Sequence, residues 1–245
     1  MGSLGFSTLT GNVERNIGNR TDLTTQVQAA VNQAYLDVIT MRVPRPNGAG
    51  FLEPIKFCYN LMTSGTITVA SALASFALTS VSGITDADTV LAIYALRDTT
   101  NKKILEGPKQ YRDLLEIDVT VTGDPTHYAR YGNTIYFNRT TDASTAYTLY
   151  YYKRPTALTG STATVIPVEY DYPIELRATQ IMLETPLHET DHAAEYGGRI
   201  IQWLLERVSP EALAAEDADF GLEITRSGHS NTARNTRGSW KRGRW

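Results

Sequence analysis

Tyr147-Thr-Leu-Tyr-Tyr-Tyr-Lys-Arg-Pro155 is the stretch on which the reading of the fold turns. Side chains alternate in an extended strand, so Tyr147, Leu149 and Tyr151 point one way while Ala146, Thr148, Tyr150 and Tyr152 point the other. Neither face suits bulk water. Such a strand is either central in a sandwich or pressed against another subunit. Tyr147, Tyr150, Tyr151 and Tyr152 are therefore candidate residues of a subunit or tail interface, with packing inside the subunit as the alternative. Upstream, from Asp124, lies a second tyrosine-rich strand running from Tyr128 to Phe137, and the two read as a hairpin joined by a polar turn. Pro155 closes this β-region, and helices follow.

Working outward, Leu23, Val27, Ala30, Val31, Ala34, Tyr35, Val38 and Met41 recur at spacings of three and four until Pro44 and Pro46, which predicts an amphipathic helix over 22–42. Before it, Thr10 is placed to cap a short helix carrying Val13 and Ile17, with Gly18 as a left-handed stop. Ile55, Phe57, Tyr59 and Leu61 alternate, as do Val90, Ala92, Tyr94 and Leu96, and both read as strands. Residues 66–81 are rich in Ala, Ser and Thr and fit strand or loop. Arg97 to Lys103 reads as a turn, and Pro108 to Ile117 as a short helix before a Val119 and Val121 strand. Past Pro155, a helix is expected from Ile174 to about Leu187. Another starts near Thr190 or Asp191, with Ala194, Gly197, Ile200, Ile201, Leu204, Leu205 and Val208 on one side. Ser209 and Pro210 begin a further one. The order implies an α+β chain, with a helical bundle of N- and C-terminal helices, an inserted β-sandwich or barrel-like domain and an extended C-terminal tail. Its parts are 1–46 (helical), 47–155 (β-rich), 156–225 (helical) and 226–245 (basic tail).

At 42% hydrophobic and 20% charged over 245 residues, the composition is that of a folded domain rather than a disordered or membrane-spanning chain. No apolar run approaches the ~20 residues of a bilayer crossing. The amino terminus lacks a basic patch followed by an apolar core, so no secretory signal is expected. A single cysteine, Cys58, fits a chain assembled in reducing cytoplasm and reads as a packed strand residue. The sequons at Asn19 and Asn138 then lack a secretory context. Charge is unevenly placed. Of 23 bases and 26 acids, six bases and no acid fall within Arg226–Trp245, which leaves a net −9 for the preceding body.

The combination of Tyr128-Ala-Arg-Tyr-Gly-Asn-Thr-Ile-Tyr-Phe137, Tyr147 to Pro155, and Ile166-Pro-Val-Glu-Tyr170 entering a helix resembles the head-to-tail adaptor proteins of tailed bacteriophages, of the podovirus portal-adaptor kind. The resemblance covers most of the chain in order. It implies an amino-terminal helix, a β-rich insertion and a carboxy-terminal helical pair. It also implies a twelvefold homo-oligomeric ring under the portal protein, a tail nozzle or tail tube protein beyond it, genomic DNA passing through the lumen, and a place at the neck of the virion. A ring needs excess apolar surface on its flanks, which the tyrosine strand and Tyr170, Tyr172 and Phe220 offer. An acidic body suits a channel that does not hold phosphates. The tail lacks apolar periodicity and is expected to order only on a partner. Arg226, Arg234, Arg237, Trp240, Lys241, Arg242, Arg244 and Trp245 are its candidate portal-binding residues, with nucleic acid as the other possible target. A tail tube or nozzle protein is the alternative role.

One catalytic pattern stands out: His188-Glu-Thr-Asp-His192 fits H-E-x-x-H, in which two histidines one helical turn apart share a zinc ion. Its setting argues against a zinc-dependent hydrolase. A helix starting at Thr190 or Asp191 leaves His188 outside, and Glu195 and Gly198 stand where the metzincin extension needs Gly and His. Asp86-Ala-Asp88 lacks the remainder of a calcium loop, and His127 and His229 are isolated. No catalytic residue, metal site or cofactor is expected.

Overall fold

In the computed structural model, residues 4–44, 51–115 and 121–208 are described. The first helices are α1 (Phe6–Asn16) and α2 (Thr24–Thr40), separated by left-handed Gly18 (φ 81°) and Asn19 (φ 58°) and a 3-10 turn at Thr21–Leu23. Val27, Ala30, Val31, Ala34, Tyr35 and Val38 of α2 are all buried, as their periodicity requires. Thr10 is not a cap. α1 starts four residues earlier, and the buried Thr10 hydroxyl donates to the Phe6 carbonyl at 2.8 Å, the usual way for a mid-helix threonine to satisfy itself.

A short antiparallel ribbon follows, β1 (Val43–Pro44) with β2 (Phe51–Leu52). The alternation of Ile55, Phe57, Tyr59 and Leu61 does not form a strand. Two 3-10 turns, Pro54–Phe57 and Tyr59–Leu61, bury Ile55, Cys58 and Leu61 at steps of three and leave Tyr59 exposed. Three residues per turn is the 3-10 period, and Pro54 sits at a first-turn position where its missing N–H costs nothing. Cys58 is thus packed in a turn rather than a strand. Burial pushes its thiol up to about 12, so it is an inert core group.

The remaining strands are β3 (Met62–Val69), β4 (Ser75–Ala77), β5 (Val90–Asp98), β6 (Lys103–Lys109), β7 (His127–Tyr131), β8 (Thr134–Phe137) and β9 (Thr145–Lys153). The short helix α3 (Tyr111–Leu115) lies between β6 and β7. Their order is β3-β9-β5-β6-β7-β8-β4, antiparallel except for β6 with β7, and the sheet curls into a nearly closed barrel-like form. The two tyrosine stretches do not pair with each other. Tyr128–Phe137 is itself the β7–β8 hairpin, turning at Gly132 (φ 58°) and Asn133, whereas β9 crosses to the middle of the sheet between β3 and β5. Along β5 the expected alternation breaks. Its register against β9 shifts between Val90 and Ala92 and again between Ile93 and Ala95, and these bulges turn Tyr94 outward. Pro108 belongs to β6 rather than to a helix, and Val119 lies outside the described residues.

Opposite Leu149 in β3 stands Gly65. A Cβ there would fall inside contact distance of the Ser82 carbonyl oxygen and 2.6 Å from Val81 Cγ1. Backbone cannot swing aside as a flexible side chain can. Gly65→Ala is therefore expected to destabilise the protein by roughly 1–3 kcal/mol, read as a lowered midpoint in urea. An unchanged midpoint would mean that the 81–82 segment does not press on β3.

The later helices are α4 (Asp171–Glu184) and α5 (Thr190–Trp203), the latter continued by a wider turn over Leu204–Val208. α4 begins before Ile174 because a 3-10 turn at Val168–Tyr170 feeds it and Pro173 is tolerated in the first turn. In α5 the buried residues are Ala193 and Ile200, continued by Leu204, while Ala194 and Ile201 are exposed, so its inner face is rotated from the one the spacing suggested. Gly197 meets Gln180 of α4 there.

Helices from both ends of the chain pack together: α2 and α5 on α4, and α1 on α2 and α4. Asp37 of α2 accepts from Arg177 Nε and Nη2 at 3.0 and 2.9 Å, and Glu175 of α4 accepts from Asn12 and Asn16. Asn32 exchanges two hydrogen bonds with the Leu158 backbone, holding the segment after β9 against α2. The result is two cores, one among the helices and one within the sheet. β9 joins them. Tyr147, Leu149 and Tyr151 lie in the sheet core and Tyr152 in the helical one.

Candidate assembly surfaces

Of the four tyrosines read as interface residues, Tyr147, Tyr151 and Tyr152 are buried within the subunit, and only the half-buried Tyr150 keeps ring surface outside. The alternation was legible, but a strand central in its own sheet hides both ends of the pattern. Tyr170 is likewise buried, and its hydroxyl donates to the Pro54 carbonyl at 3.3 Å. Tyr172 is exposed beside Trp203, with ring centroids 6.3 Å apart. Phe220 and the candidate tail residues Arg226, Arg234, Arg237, Trp240, Lys241, Arg242, Arg244 and Trp245 lie outside the described residues.

Two other surfaces present aromatic groups that sequence reasoning passed over. At the tip of the β7–β8 hairpin, Tyr131 is 62% exposed and stacks on Tyr111 of α3 at 4.7 Å and 21°, while Tyr136 meets the same ring at 4.7 Å. Tyr111 precedes the other two by twenty or more residues, so only the folded chain brings the three rings together. A rigid, exposed aromatic group of this kind is what interface centres use.

The second surface is a groove of about 580 Å³ where the chain after α2 meets β5, β6 and β7. Ile55, Leu91, Ile93 and Tyr152 give it an apolar floor, and Tyr59 and Tyr94 are exposed along it. Arg42, Lys56 and Arg130 supply positive charge. Glu53 is the acid in the lining, paired with Arg42 at 3.0 Å and Lys56 at 3.1 Å. Arg130 is held by its own bonds, donating from Nη1 to the Val90 carbonyl and from Nε to that of Gly132.

The H-E-x-x-H stretch does not have the geometry of its pattern. α5 begins at Thr190, so His188 lies before the helix, with a left-handed backbone at φ 57°. The histidines are therefore not one helical turn apart on one face, as a shared zinc requires. His192 Nδ1 instead lies 2.9 Å from Glu189 Oε2, and that carboxylate raises the imidazole above its ordinary range. Among the described residues no group of three or more His, Cys, Asp or Glu side chains is placed to hold a metal. Asp86 caps a 3-10 turn by accepting from the Asp88 N–H, and His127 lies 3.0 Å from Glu106. Asn138, one of the sequon residues, is buried, with its amide oxygen accepting from the Thr126 and His127 N–H groups.

The chain thus pairs a helical frame with a barrel-like sheet. A family model described as SU10 adaptor protein matches residues 5–234, nearly the whole chain. The chain belongs to that family. The match agrees with the resemblance as far as a phage adaptor protein, and such a family indicates a structural role. Among curated proteins none is similar enough to match. No helix among the described residues of this SU10 adaptor family member is long and apolar enough to cross a membrane.

Proposed function

We propose that this adaptor forms a ring at the head-to-tail junction of a tailed phage, docked on the portal above and on a nozzle or tail tube protein below, around the path of the DNA. The family match over residues 5–234 carries the reading. Supporting it, the subunit keeps exposed aromatic groups at three places in the fold: the hairpin tip at Tyr131, the groove at Tyr59 and Tyr94, and the helical part at Tyr172. A ring of identical subunits needs two different patches that fit each other, and a third surface remains for an axial neighbour. Arg226–Trp245 is the portal hook, its bases drawn to acidic portal surface and its two tryptophans serving as anchors. The hairpin tip faces the tail protein. Copies number twelve, as in the adaptors the chain resembles, and the virion neck is where the protein resides.

Each contact can be modest because a closed ring multiplies them. Purified protein mixed with portal rings and viewed by negative stain should add a second ring, coaxial with the portal. Portal particles left bare at saturating protein would overturn this function.

A further inference from the structure

The groove between the helical frame and the sheet has a chemistry that selects its occupant. Its floor is apolar and its rim carries three cations, Arg42, Lys56 and Arg130. Glu53 is shared by two of them, and Asp88 is the acid whose charge reaches Arg130. Side-chain exposures of 71% for Arg42 and 53% for Lys56 leave both heads able to meet a further carboxylate.

Within this chain the complementary segment is Glu211-Ala-Leu-Ala-Ala-Glu-Asp-Ala-Asp-Phe-Gly-Leu-Glu223, which lies outside the described residues. It has five acids and no base, with Leu213, Phe220 and Leu222 among them. The adjoining stretch, Arg226–Trp245, has six bases and no acid, so the groove repels it. We infer that residues 211–223 of one subunit occupy the groove of the neighbouring subunit, with Phe220 on the apolar floor and the flanking carboxylates on the cationic rim.

The inference deepens the ring reading and rests on it. Ring closure favours the neighbour over the subunit's own groove. The chain leaves its described part from α5, which packs on α4, whereas the groove is built from the segment after α2 and from β5, β6 and β7. An acidic segment and a cationic groove are two different patches that fit each other, which is what a head-to-tail contact uses. The acidic stretch would then tie subunits to one another and leave the basic stretch free for another partner.

Full-length chains carrying Phe220→Cys or Tyr94→Cys, with different tags, are mixed on portal rings and mildly oxidised. Native Cys58 is buried with its thiol pushed up to about 12, so it does not compete. Cross-links between differently tagged chains are expected, and their yield should fall about tenfold with Arg42→Glu and Lys56→Glu. Glu216→Lys, Asp217→Lys and Asp219→Lys should restore the yield in that reversed groove, which a folding defect could not do. A doubly substituted chain that cross-links only within itself overturns the inference. Rings that form without cross-links overturn it too, while sparing the ring reading. Absence of both rings and cross-links overturns the two together.

Discussion

Removal of Arg226–Trp245 is expected to leave a folded subunit that no longer attaches to portal rings. The deleted stretch has no apolar periodicity with which to join a core. Far-ultraviolet circular dichroism and the unfolding midpoint should therefore stay within about 0.5 kcal/mol of the intact chain, as for a change remote from any core. Binding should respond in the opposite way. Six bases and two tryptophans in twenty residues hold both of the features that interfaces concentrate in their centres, cations able to meet carboxylates and large rigid rings. Loss of all of them should lower co-sedimentation with portal at least about a hundredfold in protein concentration, since each central anchor is commonly worth more than about 1 kcal/mol. Tryptophans and charges can be separated. Trp240→Ala with Trp245→Ala should weaken binding at every salt concentration, whereas replacing the bases with glutamine should remove its salt dependence. Unchanged co-sedimentation of the truncated chain would show that the hook lies elsewhere. Retention of salt-dependent binding to unrelated DNA by a tail peptide with no affinity for portal would give the tail to nucleic acid instead.

What could be read in advance followed the range of the interactions involved. α2 was legible to within two residues at each end because its apolar spacing and its stop are local, and the same holds for the left-handed Gly18 and the start of α5 at Thr190. The segment from Ile55 to Leu61 misled because aromatic and branched residues at alternate positions imitate a strand, while the burial that decides the matter falls on Ile55, Cys58 and Leu61. Cys58 carries that signal, a step of three behind a proline. β9 was legible as a strand with apolar groups on both sides. Its place between β3 and β5 was not, because pairing with residues about 50 to 90 positions upstream leaves no trace in local pattern. The groove had no sequence signature at all. Arg42, Lys56, Tyr94 and Arg130 come from four separate stretches, and the bulges of β5 that turn Tyr94 outward are themselves products of nonlocal register.

Tyr147 and Tyr150, three residues apart on the same strand, should behave in opposite ways. Tyr147 is fully buried against Phe137, with ring centroids 5.2 Å apart, in a core that also contains Tyr128, Leu149 and Tyr151. Truncation to alanine leaves a ring-sized cavity in the sheet core, so Tyr147→Ala should cost about 3–5 kcal/mol. That is a large share of the roughly 5–15 kcal/mol available to a domain, and expression of the variant at reduced temperature should be needed to measure it by urea unfolding. Tyr150→Ala should cost less than about 1 kcal/mol, because that ring is half exposed, and any effect it has should appear in ring assembly rather than in the unfolding midpoint. A third variant guards against a trivial explanation. The Tyr128 hydroxyl is buried with no hydrogen-bond partner among the described residues, and burial raises its pKa, so it stays neutral. Tyr128→Phe removes that oxygen without opening a cavity and should leave stability unchanged or raise it by about 1 kcal/mol. If Tyr147→Ala unfolds at the wild-type midpoint but fails to form rings, the side chain must face a neighbouring subunit, and the central position of β9 in its own sheet would be wrong. If Tyr128→Phe loses 2 kcal/mol or more, on the order of a buried hydrogen bond removed, then a partner for that hydroxyl exists inside the sheet. The two results together decide whether the tyrosines of this adaptor hold the subunit or the ring.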